Sequence, residues 1–363
     1  MKSIFPDPEE FYRRNPKELQ KRCGLTDRET AALCEGQKLT AVELEKNMAD
    51  CIQKGINLIC FEDKKYPGRL RNIYNPPYSL YVRGGLPCES VPAVAVVGAR
   101  NCSVYGTRTA ELIGMQLAKH GISVISGMAL GIDGAGHRGA LQALRTGGTK
   151  DAEQKSDTGR TGKTYGILGC GADICYPACH RELYEELIRE GGVISEYPPG
   201  VSPRAMFFPQ RNRIISGLSD GVIVVEAREK SGALITADFS LEQGKEVYGV
   251  PGRISDPLSR GTNRLIRQGA GIFLSVEDFL KEMDIFTAFT EASDKKQKLS
   301  LEKSERLVYS CLDLSPKNLD MLLAETMFSF PELMENLESL RKKGCILEVY
   351  HNYYIRSELS DFL

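Results

Sequence analysis

From Ala93 onward, short apolar runs bounded by glycine recur: Ala93–Val97, Ile122–Ile125, Tyr165–Leu168, Gly192–Ile194, Val222–Val225, Val247–Val250 and Gly271–Leu274. Between most of them lie helix-length amphipathic stretches, such as Thr107 to His120 and His180 to Glu190, each followed by glycine. A strand that is apolar along its whole length needs cover on both faces, and strands separated by helices pair in parallel. The pattern predicts one α/β domain over residues 85–283, built on a mostly parallel sheet.

The flanks read differently. Residues 1–62 predict a small helical module of the SAM or HhH kind. Thr26 can cap a helix from Asp27 to Gly36, and Thr40 one that runs toward Lys54 and stops at Gly55. Residues 63–84 hold Pro67, Pro76 and Pro77, which argue against a long helix and for an extended connector. Residues 146–164 lack apolar periodicity and read as a flexible insertion. The GRTGKT inside it is not a Walker A loop, because Asp157 stands where that motif needs glycine. Residues 284–300 read as a linker. Beyond it, Leu301–Leu312, Pro316–Met327 and Pro331–Lys343 predict three helices, and Cys345–Ile355 a hairpin. That is a winged-helix pattern over 301–363.

With 363 residues, two or three domains are expected. Hydrophobic residues make up 42% and net charge is −1, which excludes a mainly disordered chain. No stretch approaches the ~20 apolar residues of a membrane helix. The polar, acidic start has no secretory apolar core, so a cytoplasmic protein with no membrane partner is expected. The 11 cysteines are odd in number and scattered, and read as reduced thiols. Cys170, Cys175 and Cys179 lack a CxxC pair or a histidine-rich partner, so no metal is expected.

Three consecutive strands end in glycine-rich turns, at the sheet edge where α/β proteins bind ligands. The first turn, Gly98-Ala99-Arg100 to Ser103 and Gly106, can present backbone N–H groups and a helix N-terminus to a phosphate, with Arg100 beside them. It is not GxGxxG, so NAD is poorly supported. The second turn runs from Ser126 and Gly127 to Gly131, Asp133 and His137, and the third through Gly169 to Asp173. Asp133 and Asp173 read equally as caps or as ribose ligands. His137 reads as packed or solvated. No nucleophile–base pair is evident.

Basic residues cluster locally. Tyr197 to Ser219 holds Arg204, Arg211 and Arg213 with no acid, and Phe207 and Phe208 lie between them. Val247 to Val276 holds four arginines against Asp256 alone, with Thr262 and Asn263 among them. Arginine interleaved with aromatics suits single-stranded nucleic acid, through phosphate pairing and base stacking. Residues 301–363 carry 7 Lys+Arg and 11 Asp+Glu, which disfavours phosphate contact and favours a protein partner.

Several long motifs together resemble the DprA/Smf family: GARNCSVYG, SGMALGIDGAGHRGAL, LGCGADICYP, FPQRNRIISGLS, ARxKSGALITA and VPGRISDPLSRGTNRLIRQGA, in that order. The likeness covers about 66–275. It implies an extended Rossmann-like domain that binds single-stranded DNA, helps load the RecA recombinase in natural transformation, and forms a homodimer through that domain. It implies neither catalysis nor a cofactor. Carried onto this chain, it places Arg100 in a phosphate pocket, Arg211, Asn212 and Arg213 beside it, and Lys230, Ser231 and Gly232 in a third turn. The enzyme alternative is a nucleotide-processing hydrolase of the phosphoribohydrolase type, but the PGGxGT motif of that group is missing.

Overall fold

The computed structural model describes residues 13–147, 162–283, 285, 301–313, 315–343 and 345–356. The chain divides into two units, Met1–Gly55 and Ile56–Leu363. The first contains α1 (Pro16–Cys23), α2 (Asp27–Gln37) and α3 (Ala41–Gln53). Thr26 and Thr40 each close a capping box, with Glu29 and Glu43 respectively. Two orphan amides at each helix start are thereby satisfied.

The second unit contains a nine-stranded sheet. Its strands are β1 (Ile56–Cys60), β2 (Ser79–Gly84), β3 (Ala93–Val97), β4 (Ser123–Ser126), β5 (Thr164–Ile167), β6 (Gly192–Ser195), β7 (Gly221–Val224), β8 (Glu246–Gly249) and β9 (Gly271–Ile272). Spatial order is β1-β2-β6-β5-β4-β3-β7-β8-β9. From β6 to β9 every pairing is parallel, while β1–β2 and β2–β6 are antiparallel. The helices are α4 (Gly68–Arg71), α5 (Val104–Lys119), α6 (Ile132–Gly147), α7 (Arg181–Glu190), α8 (Phe207–Leu218), α9 (Gly232–Glu242), α10 (Arg260–Arg267) and α11 (Val276–Glu282).

Strand β3 shows why the runs are apolar throughout. All five residues are buried. Ala93, Ala95 and Val97 join a core with Ile214 and Leu218 of α8 and Ala237 of α9, whereas Val94 and Val96 join one with Ile113 of α5 and Phe279 of α11. The two-residue period of a strand thus feeds two cores, one on each face. Helices α5 and α6 meet at glycine: a Cβ on Gly139 would lie 1.9 Å from the Glu111 carbonyl oxygen.

Two boundaries need correction. Residues 56–60, read as part of the helical module, form β1, and residues 79–84 of the connector form β2. In β2 the side chains alternate, with Leu80 and Val82 buried and their neighbours partly exposed. That pattern satisfies a strand with one covered face. The insertion at 146–164 and the linker at 284–300 lie largely outside the described residues. Beyond them, α12 (Lys303–Cys311), α13 (Leu319–Thr326) and α14 (Phe330–Lys342) pack with a three-stranded antiparallel sheet around a separate core that includes Val308, Leu337 and Ile346.

Candidate nucleic-acid interface

In the parallel part of the sheet, β3 is first in sequence but lies between β4 and β7. Successive strands add outward on one side through β6, then the chain crosses to β7 on the other. At such a switch the connecting segments diverge and leave a crevice at the carboxyl ends of the strands. A cleft of about 620 Å³ opens there, lined by the turns after β3, β4, β5, β6 and β7. Four cationic side chains face it, Arg100, Arg211, Arg228 and Lys230, against one carboxyl, Asp133.

The floor is Arg211. It is only 4% exposed, and its Nη1 donates to Gly127 O at 2.7 Å and to Ile167 O. Its Nε has no partner among the described residues. Gly127 N donates to Asp133 Oδ2 at 3.2 Å. Burial lowers the Arg211 pKa to about 10, opposed by the Asp133 charge, and burial raises that of Asp133, opposed by Arg211. Each member restrains the other's shift, as expected for opposite charges in a poorly solvated site. The helix that carries Arg211 is gripped at its far end. Lys245 Nζ donates to Ser216 O at 2.7 Å and Gly217 O at 2.9 Å, and burial lowers its pKa to about 8.

The rim is exposed and cationic. The Arg100 guanidinium lies 5.2 Å from the centroid of Phe208, whose ring lies 5.4 Å from that of Tyr176. Phe207 stacks on Tyr197 at 4.1 Å with Arg204 over it. Opposite, α9 points its N-terminus into the cleft through Ser231 and Gly232. A Cβ on Gly232 would meet nothing within 4 Å, so its amide is approachable, while Ser231 N donates to Arg228 O at 3.0 Å. Asn212 Nδ2 donates to Gly232 O at 3.3 Å and ties α8 to this turn.

Of the residues expected to hold phosphate or DNA, Gly98, Arg100, Arg211, Asn212, Lys230, Ser231 and Gly232 line the cleft together, with Asp133 and Phe208 beside them. The others do not. Ser126 Oγ is buried and donates to Val96 O at 2.6 Å. Gly127 lies behind Arg211, and Gly131, at φ +74°, turns the chain into α6. Arg213 is 9% exposed and is paired with Glu196 at 2.6 Å, with its Nε on Asn75 O. Thr262 Oγ1 donates to Ser259 O, and the Asn263 amide bridges Gly252 N and O. The expectation for Ser103 and Gly106 also needs correction. Gly106 N donates to Ser103 Oγ at 2.9 Å, and Ser103 N to Glu226 Oε2 at 2.9 Å, so neither amide is free for a ligand. Tyr176, Phe208 and Arg228 join them there; Tyr176 and Arg228 lie within the LGCGADICYP and ARxKSGALITA motifs, and Phe208 stands beside arginine in the sequence.

His137 is fully buried behind this edge, with Nδ1 2.6 Å from Thr164 Oγ1. Burial, and less strongly the charge of His180, lower its pKa to about 3. The folded state therefore holds it neutral, and its contribution is complete above the unfolded value near 6.5 and lost as pH falls toward 3. At pH 5 the loss is ~2 kcal/mol. Urea melts should show wild-type stability falling between pH 7 and 5, with a shallower fall in His137→Asn. Equal slopes would refute this. No cluster of three or more His, Cys, Asp or Glu suited to a metal occurs among the described residues.

The family model described as "DNA recombination-mediator protein A" matches residues 57–284. The chain belongs to this family. The matched span of this DprA-family chain begins within β1, which agrees with the corrected boundary. DNA processing protein DprA of Bacillus subtilis is 37% identical over 242 residues, covering 66% of this chain and 76% of that one. Protein Smf of Escherichia coli is 39% identical over 241 residues, covering 66% and 60%. The X-ray structure of DprA from Streptococcus pneumoniae superposes with TM-score 0.57 at 34% identity, covering 74% of this chain and 91% of that one. The Helicobacter pylori DprA structure, whose subject is the single-stranded DNA binding mode of that protein, superposes with TM-score 0.53 at 26% identity. It covers 63% of this chain and 97% of its own. These matches support a DNA-processing role on a Rossmann-like fold.

Proposed function

We propose that this chain binds single-stranded DNA in the switch-point cleft and mediates loading of the RecA recombinase, as a non-enzymatic cytoplasmic homodimer. The observation that carries the binding reading is the cleft's makeup: a cationic rim, an open helix N-terminus and an aromatic wall converge on one crevice. Phosphates pair with Arg100, Arg228 and Lys230 and accept from the Gly232 N–H. Bases stack against Phe208 and Tyr176, which a duplex cannot offer without unstacking. The single-stranded DNA binding of the Helicobacter pylori relative supports the same reading. For the dimer, Ile272 on edge strand β9 and Leu274 beyond it are 49% and 61% exposed, an apolar edge suited to burial. The C-terminal module, which we read as a winged helix, presents Glu335 and Glu338 on α14 and so suits a protein partner rather than phosphate.

Fluorescence anisotropy with a labelled single strand, its duplex as competitor, and a salt series tests the reading. Strong preference for the single strand and a steep salt slope are expected. Phe208→Ala should weaken binding by ~1–3 kcal/mol, the worth of one stacked base, with its salt slope unchanged. Equal affinity for duplex, or an unaffected Phe208→Ala, would refute it.

A further inference from the structure

Among the helix N-termini at the switch point, those of α9 and α5 differ in what they hold. Each is capped by its own serine, Ser231 at α9 and Ser103 at α5, but the Gly232 amide of α9 faces open space whereas a carboxylate sits at α5. Glu226, just beyond β7, turns its side chain to α5, where Oε2 accepts from Ser103 N at 2.9 Å and Oε1 accepts from Ser103 Oγ. Ser103 Oγ in turn accepts from Gly106 N. The carboxylate is 3% exposed, so it is desolvated onto these donors. Its fit is close: a Cβ at Gly106 would lie 2.3 Å from Oε2. Glycine at 106 thus makes room for an internal acid. The backbone of Glu226 is fixed as well, since its carbonyl accepts from Ala99 N at 2.7 Å.

In a dinucleotide-binding sheet, the helix after the first strand receives the ligand's phosphates at its N-terminus. Here α5 follows the first parallel strand, and a carboxylate occupies that place. An anion at a helix N-terminus is favoured by the dipole and by the unpaired amides. A second anion at the same donors would meet a buried negative charge with no room to spare.

We propose that Glu226 is a specificity-determining residue, whose carboxylate stands in for a phosphate at the N-terminus of α5. It shuts out free nucleotides and confines phosphate binding to the α8–α9 face. This rests on the proposed cleft for its biological meaning, but its test does not depend on DNA. Thermal melts of the full chain in millimolar inorganic phosphate, and separately in adenosine monophosphate, are compared with chloride at matched ionic strength. Glu226→Ala should be less stable than wild type in chloride. With phosphate or the nucleotide it should gain a saturable rise in Tm of several degrees beyond any rise in wild type. Glu226→Gln, which keeps the seat filled, should show no such excess. The excess should persist in Glu226→Ala/Lys230→Ala, which places it at α5 and not in the cleft.

Equal responses in wild type and Glu226→Ala, or an excess abolished by Lys230→Ala, would overturn the proposal. If Glu226→Ala does not fold in chloride, Glu226→Ser carries the comparison. Failure of both to refold in phosphate also overturns it. Anisotropy on wild type alone reports on the cleft. A chain that shows the anion excess yet binds no single strand would sink the DNA reading and leave the role of Glu226 standing.

Discussion

Arg211→Ala is expected to lower stability by ~3–5 kcal/mol, because it strips the buried Asp133 carboxyl of its compensating charge. The guanidinium also donates to two carbonyls that close the cleft floor. Lysine should not substitute, since a single ammonium cannot reproduce the planar fork. Denaturant melts should show a lower midpoint at unchanged slope. The deficit should also depend on pH. Burial raises the Asp133 pKa in the folded state, so its penalty appears as pH climbs above the usual carboxylate range. Without Arg211 that penalty grows, so variant and wild type should be closest in acid and diverge toward neutrality. Arg211→Met/Asp133→Asn should recover part of the loss. A change below ~1 kcal/mol for Arg211→Ala would show that the floor is not built this way. Lost DNA binding in Arg211→Ala would therefore report a collapsed cleft as much as a missing phosphate contact.

The cleaner probe of binding is the exposed pair. Arg100→Ala/Lys230→Ala should leave stability within ~0.5 kcal/mol of wild type, since both residues are exposed. Single-strand affinity at low salt should fall by about 100-fold, ~2.7 kcal/mol. The slope of log K against log salt should become shallower by ~1.4, the release expected from two phosphate contacts on a single strand. A loss of affinity with an unchanged slope would mean that the two residues act on the shape of the cleft and not as phosphate partners.

Much of this architecture was legible in the residues. Fully apolar runs such as AVAVV can only be strands covered twice, and the glycine turns after them marked the binding edge. Strands β1 and β2 escaped notice because prolines dominate the segment between them, although Leu80 and Val82 carried a two-residue period. The arginines of α8 show a deeper limit. Read along the chain, Arg211 and Arg213 look like one basic surface; in the fold they are 4% and 9% exposed and serve a cavity floor and an ion pair with Glu196. Charge counted along a sequence does not report which side of a helix faces water. Glu226 was hidden for the same reason, because its partner Ser103 belongs to another strand's turn.

The place of β2 in the sheet has a consequence for biogenesis. Beyond β1 it pairs with β6, antiparallel, with Tyr81 opposite Ser195. At a ribosomal pace of about 5–20 residues per second, β2 emerges on the order of ten seconds before the strand it must pair with. Through that interval the β1–β2 hairpin can exist only as an isolated ribbon, and two-stranded ribbons are marginal in water. The earliest strands to leave the ribosome thus wait for β6, and the nascent chain carries their open edge until the middle of the protein has been made.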